Sequence, residues 1–279
     1  MSIRLTADSS ANLFTMQDVS FACVPMKIIT TEAEFVDNPS LDVADMVARI
    51  KATKGKSGTS CPNIQDWLDA FEGATEIFAV TITSNLSGSY ASCVQAAEEY
   101  QAAHPDAKVT VIDSLSAGPE LGLILEKLRL WTQEGRDYDR IAQDIQNYQK
   151  HTHLSFSLES LTNLARNGRV STAVAKIAGV LGIRVVGVAS DEGTLEPLHK
   201  IRGERKAMEA LYQDMKNRGY AGGAVRIANC YNEPAAKLLE TLIRLEYPKV
   251  TVEHERCTGL CSFYAERGGL LVGYEDKNA

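Results

Sequence analysis

Three segments of the chain place hydroxyl and amide side chains directly before an amphipathic helix: residues 58–63, 83–89 and 113–118. The last two also follow apolar runs that are typical of buried strands. A helix N-terminus offers unpaired N–H groups and a partial positive charge, and neighbouring hydroxyls add hydrogen bonds without adding charge. Helix capping explains such residues in any single segment. Two segments that open onto one edge of a parallel sheet predict instead a site for a carboxylate or a phosphate.

The elements that must position these segments follow from hydrophobic periodicity. Apolar residues recur at i, i+3, i+4 and i+7 in four stretches, which predicts amphipathic helices. Short β-rich apolar runs lie between them, and this alternation predicts a mainly parallel sheet with helices on both faces. The predicted helices cover residues 43–50, 64–71, 90–97 and 121–128, and the predicted strands cover residues 3–6, 26–30, 76–83 and 108–112.

The second half of the chain has a different pattern. Apolar runs at 182–188 and 194–201 flank Asp191-Glu192-Gly193, which favours a hairpin turn. Further helices are predicted at 204–216 and 234–245, and further strands at 224–229, 249–253 and 270–274. A hairpin combined with crossover connections predicts an α/β domain with a mixed or antiparallel sheet. We therefore expect an α/β fold with two domains, at residues 1–158 and 159–279.

The composition narrows the classes of partner. The 279 residues include 36 acidic and 29 basic side chains, so the formal net charge is −7. This charge argues against nucleic acid or an anionic membrane surface as the main partner, because both attract clustered basic residues. The N-terminal residues do not resemble a signal peptide and no apolar stretch has the length of a bilayer, so we expect a cytoplasmic protein without stable membrane insertion. The six cysteines are expected to be free thiols.

Other reactive residues match known catalytic motifs poorly. Ser87 would be the nucleophile of a hydrolase or acyltransferase, but it has no histidine nearby in the sequence and no G-x-S-x-G motif around it. His151 and His153 resemble a fragment of a metal site, as do Cys257 and Cys261, and neither pair has a second pair of ligands at a recognisable spacing. We therefore predict no metal and no cofactor. A serine-dependent enzyme remains an open alternative.

Two clusters of basic residues, at 166–171 and 200–206, interrupt this acidic chain. Solvated charges with local salt bridges are the more common explanation for such clusters. Docking of a phosphorylated or acidic partner is the sharper hypothesis, because arginine offers two parallel hydrogen bonds to a phosphate.

Six segments resemble, in order along the chain, the motifs of the DegV family. Residues 4–13, R-L-T-A-D-S-S-A-N-L, are similar to the family's V-T-D-S-T-A-D-L. The other five similarities are Thr59-Ser60-Cys61-Pro62 to T-S-x-P, residues 82–90 to I-S-S-x-L-S-G-T-Y, residues 111–114 to V-I-D-S, residues 164–171 to L-x-x-G-G-R-I-S, and residues 200–207 to K-x-R-G-x-x-K-A.

The resemblance implies a two-domain α/β protein that binds one long-chain fatty acid between its domains as the non-catalytic subunit of a bacterial fatty acid kinase. In that system a separate kinase phosphorylates the bound carboxylate, and the acyl phosphate feeds phospholipid synthesis. By their positions in the motifs, Thr59, Ser60 and Ser87 would hold the carboxylate, and Gly88 would allow the backbone to approach it closely. Arg202, in the K-x-R-G motif, would dock the kinase.

Two departures from the family pattern bear on function. Residues 62–64 lack the second proline and the serine of T-S-x-P-S-P. The alignment also places Tyr264 where the family has a histidine near the carboxylate. A tyrosine donates one hydrogen bond but carries no charge at neutral pH, so Tyr264 is expected to contact the ligand without adding charge. This change leaves a lipid-sensing regulatory protein without kinase coupling as a second alternative.

Overall fold

The first sheet has four strands: β1 (Ile3–Asp8), β2 (Ser20–Val24), β6 (Glu76–Thr81) and β7 (Lys108–Asp113). They belong to a computed structural model that describes residues 3–53, 55–171 and 182–279. All four run parallel in the order β2-β1-β6-β7. The central strand β6 is apolar on both faces: Phe78 and Val80 are fully buried on one face, and Ile77 and Ala79 on the other. This burial is typical of a parallel sheet that is covered on both sides.

Helices cover both faces of this sheet, as the periodicity predicts. The covering helices are α2 (Ile64–Phe71) and α3 (Ser89–Ala103) on one face and α4 (Pro119–Gln133) and α5 (Tyr138–Tyr148) on the other. Trp67 of α2 packs with Ile77 and Ala79 on the first face. Leu121 of α4 packs with Phe78 on the second face.

A small antiparallel sheet precedes α2, and here the expected topology is wrong. It consists of β3 (Lys27–Thr30), β4 (Glu34–Val36) and β5 (Ser57–Ser60), which lie in the order β4-β3-β5 in the sheet. Along the chain, α1 (Val43–Ala52) lies between β4 and β5. Residues 26–30 therefore do not join the parallel sheet. The reason is a tight turn, in which Thr30 Oγ1 accepts the N–H groups of Glu32 and Ala33 and returns the chain along β3. Residues 58–60, expected to belong to a loop, are part of β5 and pair with β3 instead.

The second sheet has six strands of mixed orientation, as predicted. The strands are β8 (Thr152–Leu158), β9 (Ile183–Ala189), β10 (Leu195–Arg202), β11 (Val225–Asn229), β12 (Val252–Arg256) and β13 (Leu270–Glu275). Their order in the sheet is β10-β9-β8-β13-β11-β12. Only β11 and β12 pair in parallel among the described neighbours, and the hairpin between β9 and β10 turns at Asp191-Glu192-Gly193.

Two long helices, α7 (Glu204–Asn217) and α8 (Glu233–Glu246), pack on one face of the second sheet around Leu211 and Leu239. Two short helices, α6 (Thr162–Arg166) and α9 (Gly259–Ala265), pack with Phe156 and Leu158 on the other face. Within the described ranges, no helix combines the length and apolar character needed to cross a membrane.

The chain passes from the first sheet to the second between β7 and β8. The expected boundary after residue 158 would assign β8 to the first domain, yet β8 pairs with β9 and β13. This pairing favours a boundary before Thr152, and the division into two domains remains a proposal.

Glu120 links the two sheets at the start of α4. Its carboxyl group accepts a hydrogen bond from the Ser116 hydroxyl, beyond β7, and another at 2.8 Å from Thr152 Oγ1, at the start of β8. Only 4% of Glu120 is exposed. Burial raises the pKa of Glu120 to about 7, because the charged form loses its hydration.

This pKa predicts a pH-dependent stability. Above pH 4.5 the folded chain retains a proton on Glu120 that the unfolded chain loses. The contribution of Glu120 to the free energy of unfolding is therefore fully present below pH 4.5 and is lost as the pH rises to about 7. At 1.36 kcal/mol per pKa unit, the loss is about 3 kcal/mol. Glu120→Gln stays neutral and should lack it. Urea unfolding at pH 5 and pH 7.5 measures the difference, with Glu126→Gln on the same helix as the control. Equal pH dependence in wild type and Glu120→Gln would contradict the prediction.

Candidate functional site

A cavity of about 280 Å³ lies between the second sheet and the loops at the carboxyl edge of the first sheet. Most of its wall is apolar. The apolar residues include Leu154, Phe156 and Leu158 of β8, Leu164 of α6, Leu195 of β10 and Leu271 of β13. The polar side chains in the wall are Ser10, Thr59, Ser60, Ser87, Arg169 and Tyr264. A long apolar wall with a small set of polar groups suits a ligand with an apolar body and one polar end.

The structure brings together the five residues predicted to bind the ligand. Thr59, Ser60, Ser87, Gly88 and Tyr264 all line the cavity. Thr59 Oγ1 and the Tyr264 hydroxyl are hydrogen-bonded at 2.8 Å although they are 205 positions apart. Ser87 is half-buried and Gly88 is exposed, so this polar end of the cavity lies next to solvent.

Gly88 brings the start of α3 close to the end of β5. A Cβ atom at position 88 would lie 3.3 Å from the Cys61 sulfur, so a side chain there would press on the residue that follows Ser60. Ser87 Oγ accepts the backbone N–H of Ser89 at 3.2 Å, which leaves the proton of the Ser87 hydroxyl available for another acceptor.

Asp37 positions Tyr264 by holding the N-terminus of α9. One of its carboxylate oxygens accepts the N–H of Gly259 at 2.7 Å, and the other accepts the N–H of Leu260 at 2.9 Å. Asn12 Oδ1 accepts the N–H of Thr258, the residue before this helix, at 2.6 Å. Burial raises the pKa of Asp37. Two residues from the first half of the chain thus fix the short helix that carries Tyr264.

Asp8 holds together two loops that contribute Ser10 and Ile82 to the cavity wall. It is fully buried at the end of β1, and burial raises its pKa. It accepts hydrogen bonds from the backbone and hydroxyl of Ser10, from the N–H of Ile82 at 3.0 Å and from Ser89 Oγ at 2.6 Å. Sequence reasoning assigned no role in the site to Ser10, although it lies within the first motif.

The third hydroxyl-rich segment contributes less than its composition suggests. Of residues 113–118, Ala117 lines the cavity. The Ser114 hydroxyl donates to the backbone oxygen of Ser116 at 3.1 Å, and the Ser116 hydroxyl donates to Glu120. These hydroxyls therefore support the fold.

Among the described residues, Arg169 is the cationic side chain of the cavity wall, although the sequence indicated only that it belongs to a basic cluster. Its Nε donates to the backbone oxygen of Leu86 at 3.1 Å, and its Nη1 donates to that of Asn167. The first bond crosses from the turn after α6 to the loop that carries Ser87. Its place in the motif of residues 164–171 was the available signal, because charge alone does not distinguish an arginine in a cavity wall from a solvated one.

A family model described as "Uncharacterised protein, DegV family" matches residues 2–276. The chain belongs to the DegV family. A DegV domain-containing protein of Streptococcus pneumoniae is 42% identical to it, and the match covers 99% of each chain.

Two solved structures superpose closely on this chain. A family member from Eubacterium eligens, loaded with heptadecanoic acid, is 43% identical, with a TM-score of 0.97 over 99% of this chain and 100% of that one. The Fatty Acid Kinase (Fak) B3 protein of Streptococcus pneumoniae, loaded with linoleic acid, is 42% identical, with the same TM-score and coverage.

Arg202, expected from the DegV motif to dock a kinase, lies apart from the other predicted site residues. It is exposed at the end of β10 and does not line the cavity. Arg205 follows on α7, where it pairs with Glu209 at 2.9 Å. The second basic cluster is therefore a surface feature, separate from the polar end of the cavity.

The residues considered for a serine-dependent enzyme or a metal site do not form such a site within the described chain. No histidine lines the cavity beside Ser87 within the described chain. His151 and His153 both contact Asp276, at 3.3 and 3.1 Å. The described residues contain no cluster of three or more histidine, cysteine or acidic side chains suited to a metal ion. All six cysteines are free thiols, and burial raises the pKa of the Cys257 and Cys261 thiols.

Asp37→Asn should destabilise the protein, because an amide nitrogen cannot accept the second of the two N–H groups at the start of α9. We expect a loss of about 1.5–3 kcal/mol, the range for hydrogen bonds to charged groups. Urea unfolding measures it. Asp45→Asn, which alters an exposed carboxylate of α1, is the matched control and should change stability by about 0.5 kcal/mol or less. An effect of Asp37→Asn no larger than that of the control would refute the anchoring role.

Proposed function

We propose that this chain binds one long-chain fatty acid in the cavity between its two sheets. The observation that carries the proposal is the composition of the cavity wall: apolar side chains from β8, β13, α6 and β10 form most of it, and the hydroxyls of Thr59 and Tyr264 meet in it through a hydrogen bond of 2.8 Å. The heptadecanoic and linoleic acids in two relatives of more than 40% identity support the same class of ligand.

The carboxylate is bound by hydroxyl donors. Thr59 and Tyr264 share one hydrogen bond, so one of the two hydroxyl protons remains for the ligand. Ser87 supplies a second proton, since its oxygen already accepts from Ser89. Ser60 donates to its neighbour's backbone oxygen at 3.2 Å and can turn from this long bond towards the carboxylate.

The acyl chain lies along β8. Leu158, Phe156 and Leu154 alternate along this strand and all line the cavity, about 6.7 Å apart. Each buried CH₂ group contributes roughly 0.8 kcal/mol. The acyl chain therefore supplies most of the affinity, and the hydroxyls fix the direction in which the acid enters.

The bound acid is presented to a separate kinase, and this chain supplies no catalytic group. A carboxylate oxygen attacks the γ-phosphorus of ATP, the new O–P bond forms as the bond to ADP breaks, and the product is an acyl phosphate. The exposure of Gly88 supports access from solvent to the head group. The similarity to the Fak B3 protein supports a kinase partner in the bacterial cytoplasm.

A lipid-sensing regulatory protein without a kinase is the second candidate. The observation that favours it is Tyr264, which hydrogen-bonds Thr59 at the position where the family pattern has a histidine. Both functions require the same fatty acid, so the phosphorylation experiment distinguishes them.

Native mass spectrometry of the purified protein should show one bound fatty acid. Ser87→Ala removes a hydroxyl donor to the carboxylate, so binding should weaken by about 1.5–3 kcal/mol, as measured by displacement of a fluorescent fatty acid.

Ser84→Ala is the matched control, because this exposed serine lies on the same loop outside the cavity. Protein that carries no fatty acid and binds none on titration would overturn the proposed function. Ester hydrolysis that Ser87→Ala abolishes would favour the serine-dependent enzyme.

Arg202→Ala should leave fatty acid binding intact and lower acyl phosphate formation by the cognate kinase about tenfold or more, the effect of losing one charged contact at an interface. Arg205→Ala, which removes a neighbouring exposed arginine, is the control. Phosphate transfer from labelled ATP to the bound acid is the measurement. Loss of lipid binding in Arg202→Ala would place this residue in the pocket, and the absence of phosphorylation even in wild type would favour the regulatory protein.

A further inference from the structure

Phe156 lines the cavity, and its partner on the neighbouring strand is Gly187. They lie directly opposite each other on β8 and β9. A Cβ atom at position 187 would lie 2.4 Å from Cζ of the Phe156 ring and 2.8 Å from Cε2. The ring therefore lies across the glycine and fills the space that any other residue at this position would need.

Phe156 lies in the middle of the apolar part of the cavity along β8, from Leu154 to Leu158, which is called the acyl passage below. Leu154 and Leu158 line the cavity on either side of Phe156 along β8. Leu154 lies opposite Gly273, where the backbone of Pro119 and Glu120 at the start of α4 leaves no room for a side chain. The passage is thus walled at the Leu154 end.

Leu271 closes the opposite side of the ring. It pairs with Phe156 from β13 and also lines the cavity. A Cβ atom at position 118 would lie 3.1 Å from Cδ1 of Leu271, so Leu271 packs closely against Gly118. A ring displaced from the space over Gly187 therefore meets Leu271 on its other side. The cavity itself is the space that remains open to it.

We infer that Gly187 is a recess that receives the Phe156 ring, and that this pair determines which acyl chains the protein accepts. The inference rests on the proposed fatty acid binding and adds a specificity determinant to it. With the ring in the recess, the middle of the passage is open and long chains reach the Leu154 end. With the recess filled, the ring stands in a cavity of only about 280 Å³ and excludes the part of a long chain beyond it.

Gly187→Ala tests the recess. The ratio of the Kd of octadecanoic acid to that of dodecanoic acid, measured by displacement of a fluorescent fatty acid, should rise about tenfold or more over wild type. A short chain ends before the displaced ring and keeps most of its contacts, whereas a long chain does not. A folded Gly187→Ala protein with an unchanged ratio would overturn the inference.

A second variant separates the ring from the backbone. The methyl group of Gly187→Ala would also lie 2.4 Å from the backbone oxygen of Glu196, so it strains β10. Gly187→Ala/Phe156→Leu keeps this strain but removes the ring. It should restore the wild-type ratio of the two Kd values. A double variant that folds and keeps the altered ratio would assign the effect to β10 and refute the role of Phe156.

Phe156→Leu alone decides the matter if alanine at position 187 prevents folding. Leucine is too short to fill the recess, so a side pocket opens at mid-chain. The affinity for an octadecanoic acid with a mid-chain methyl branch, relative to the linear acid, should rise roughly tenfold. No change would overturn the inference. A wild-type protein that binds none of these acids would instead overturn the proposed function, which keeps the two failures distinct.

Discussion

Asp8 ends a central strand of the first sheet with its carboxylate fully buried. Withdrawing a carboxylate from water costs several kcal/mol unless hydrogen bonds replace the lost hydration. Asp8 recovers these bonds from Ser10, from the backbone of Ile82 and from Ser89, which belong to three separate loops and helices. Ser10 and Ile82 line the cavity, and Ser89 directly follows Ser87 and Gly88. The geometry of the polar end thus depends on satisfying one buried acid, because a shift of any of these segments would remove a hydrogen bond from it.

The rest of the cavity exists only once the two halves of the chain have met. Tyr264 reaches Thr59 because Asp37 and Asn12, both from the first half, hold the turn and helix that carry it. Arg169 similarly ties the turn after α6 to the loop before Ser87. Contacts of such large sequence separation form late and slowly in folding. The site is therefore a product of the complete fold, with no single segment able to form it alone.

The sequence predicted those features that local pattern or motif chemistry determines. Helices such as α2 carry one apolar stripe, which must face the core. The spacing of Trp67 and its apolar neighbours therefore predicted α2 correctly. Residues 57–60 contain no apolar side chain, and only their pairing with β3 makes them a strand. In the sequence, Arg169 is indistinguishable from a surface charge, because its contact with Leu86 depends on the turn after α6. The role of Gly187 depends on the ring of Phe156 in a neighbouring strand, which no local pattern reveals. Motif similarity supplied Thr59, Ser60, Ser87, Gly88 and Tyr264 because it preserves chemistry across positions that fold together.

The chemistry of the polar end suits a carboxylate that must still react. A salt bridge to lysine or arginine would neutralise the head group and lower the nucleophilicity of its oxygens. Among the described residues, the side chains proposed to bind the acid are hydroxyls, and Arg169 in the same wall donates to the backbone oxygens of Leu86 and Asn167. Neutral donors hold the acid in place with a modest gain per bond, while the buried acyl chain supplies the affinity. The carboxylate can then be fixed at the solvent edge and keep most of its negative charge, the condition that attack on a phosphoryl group requires.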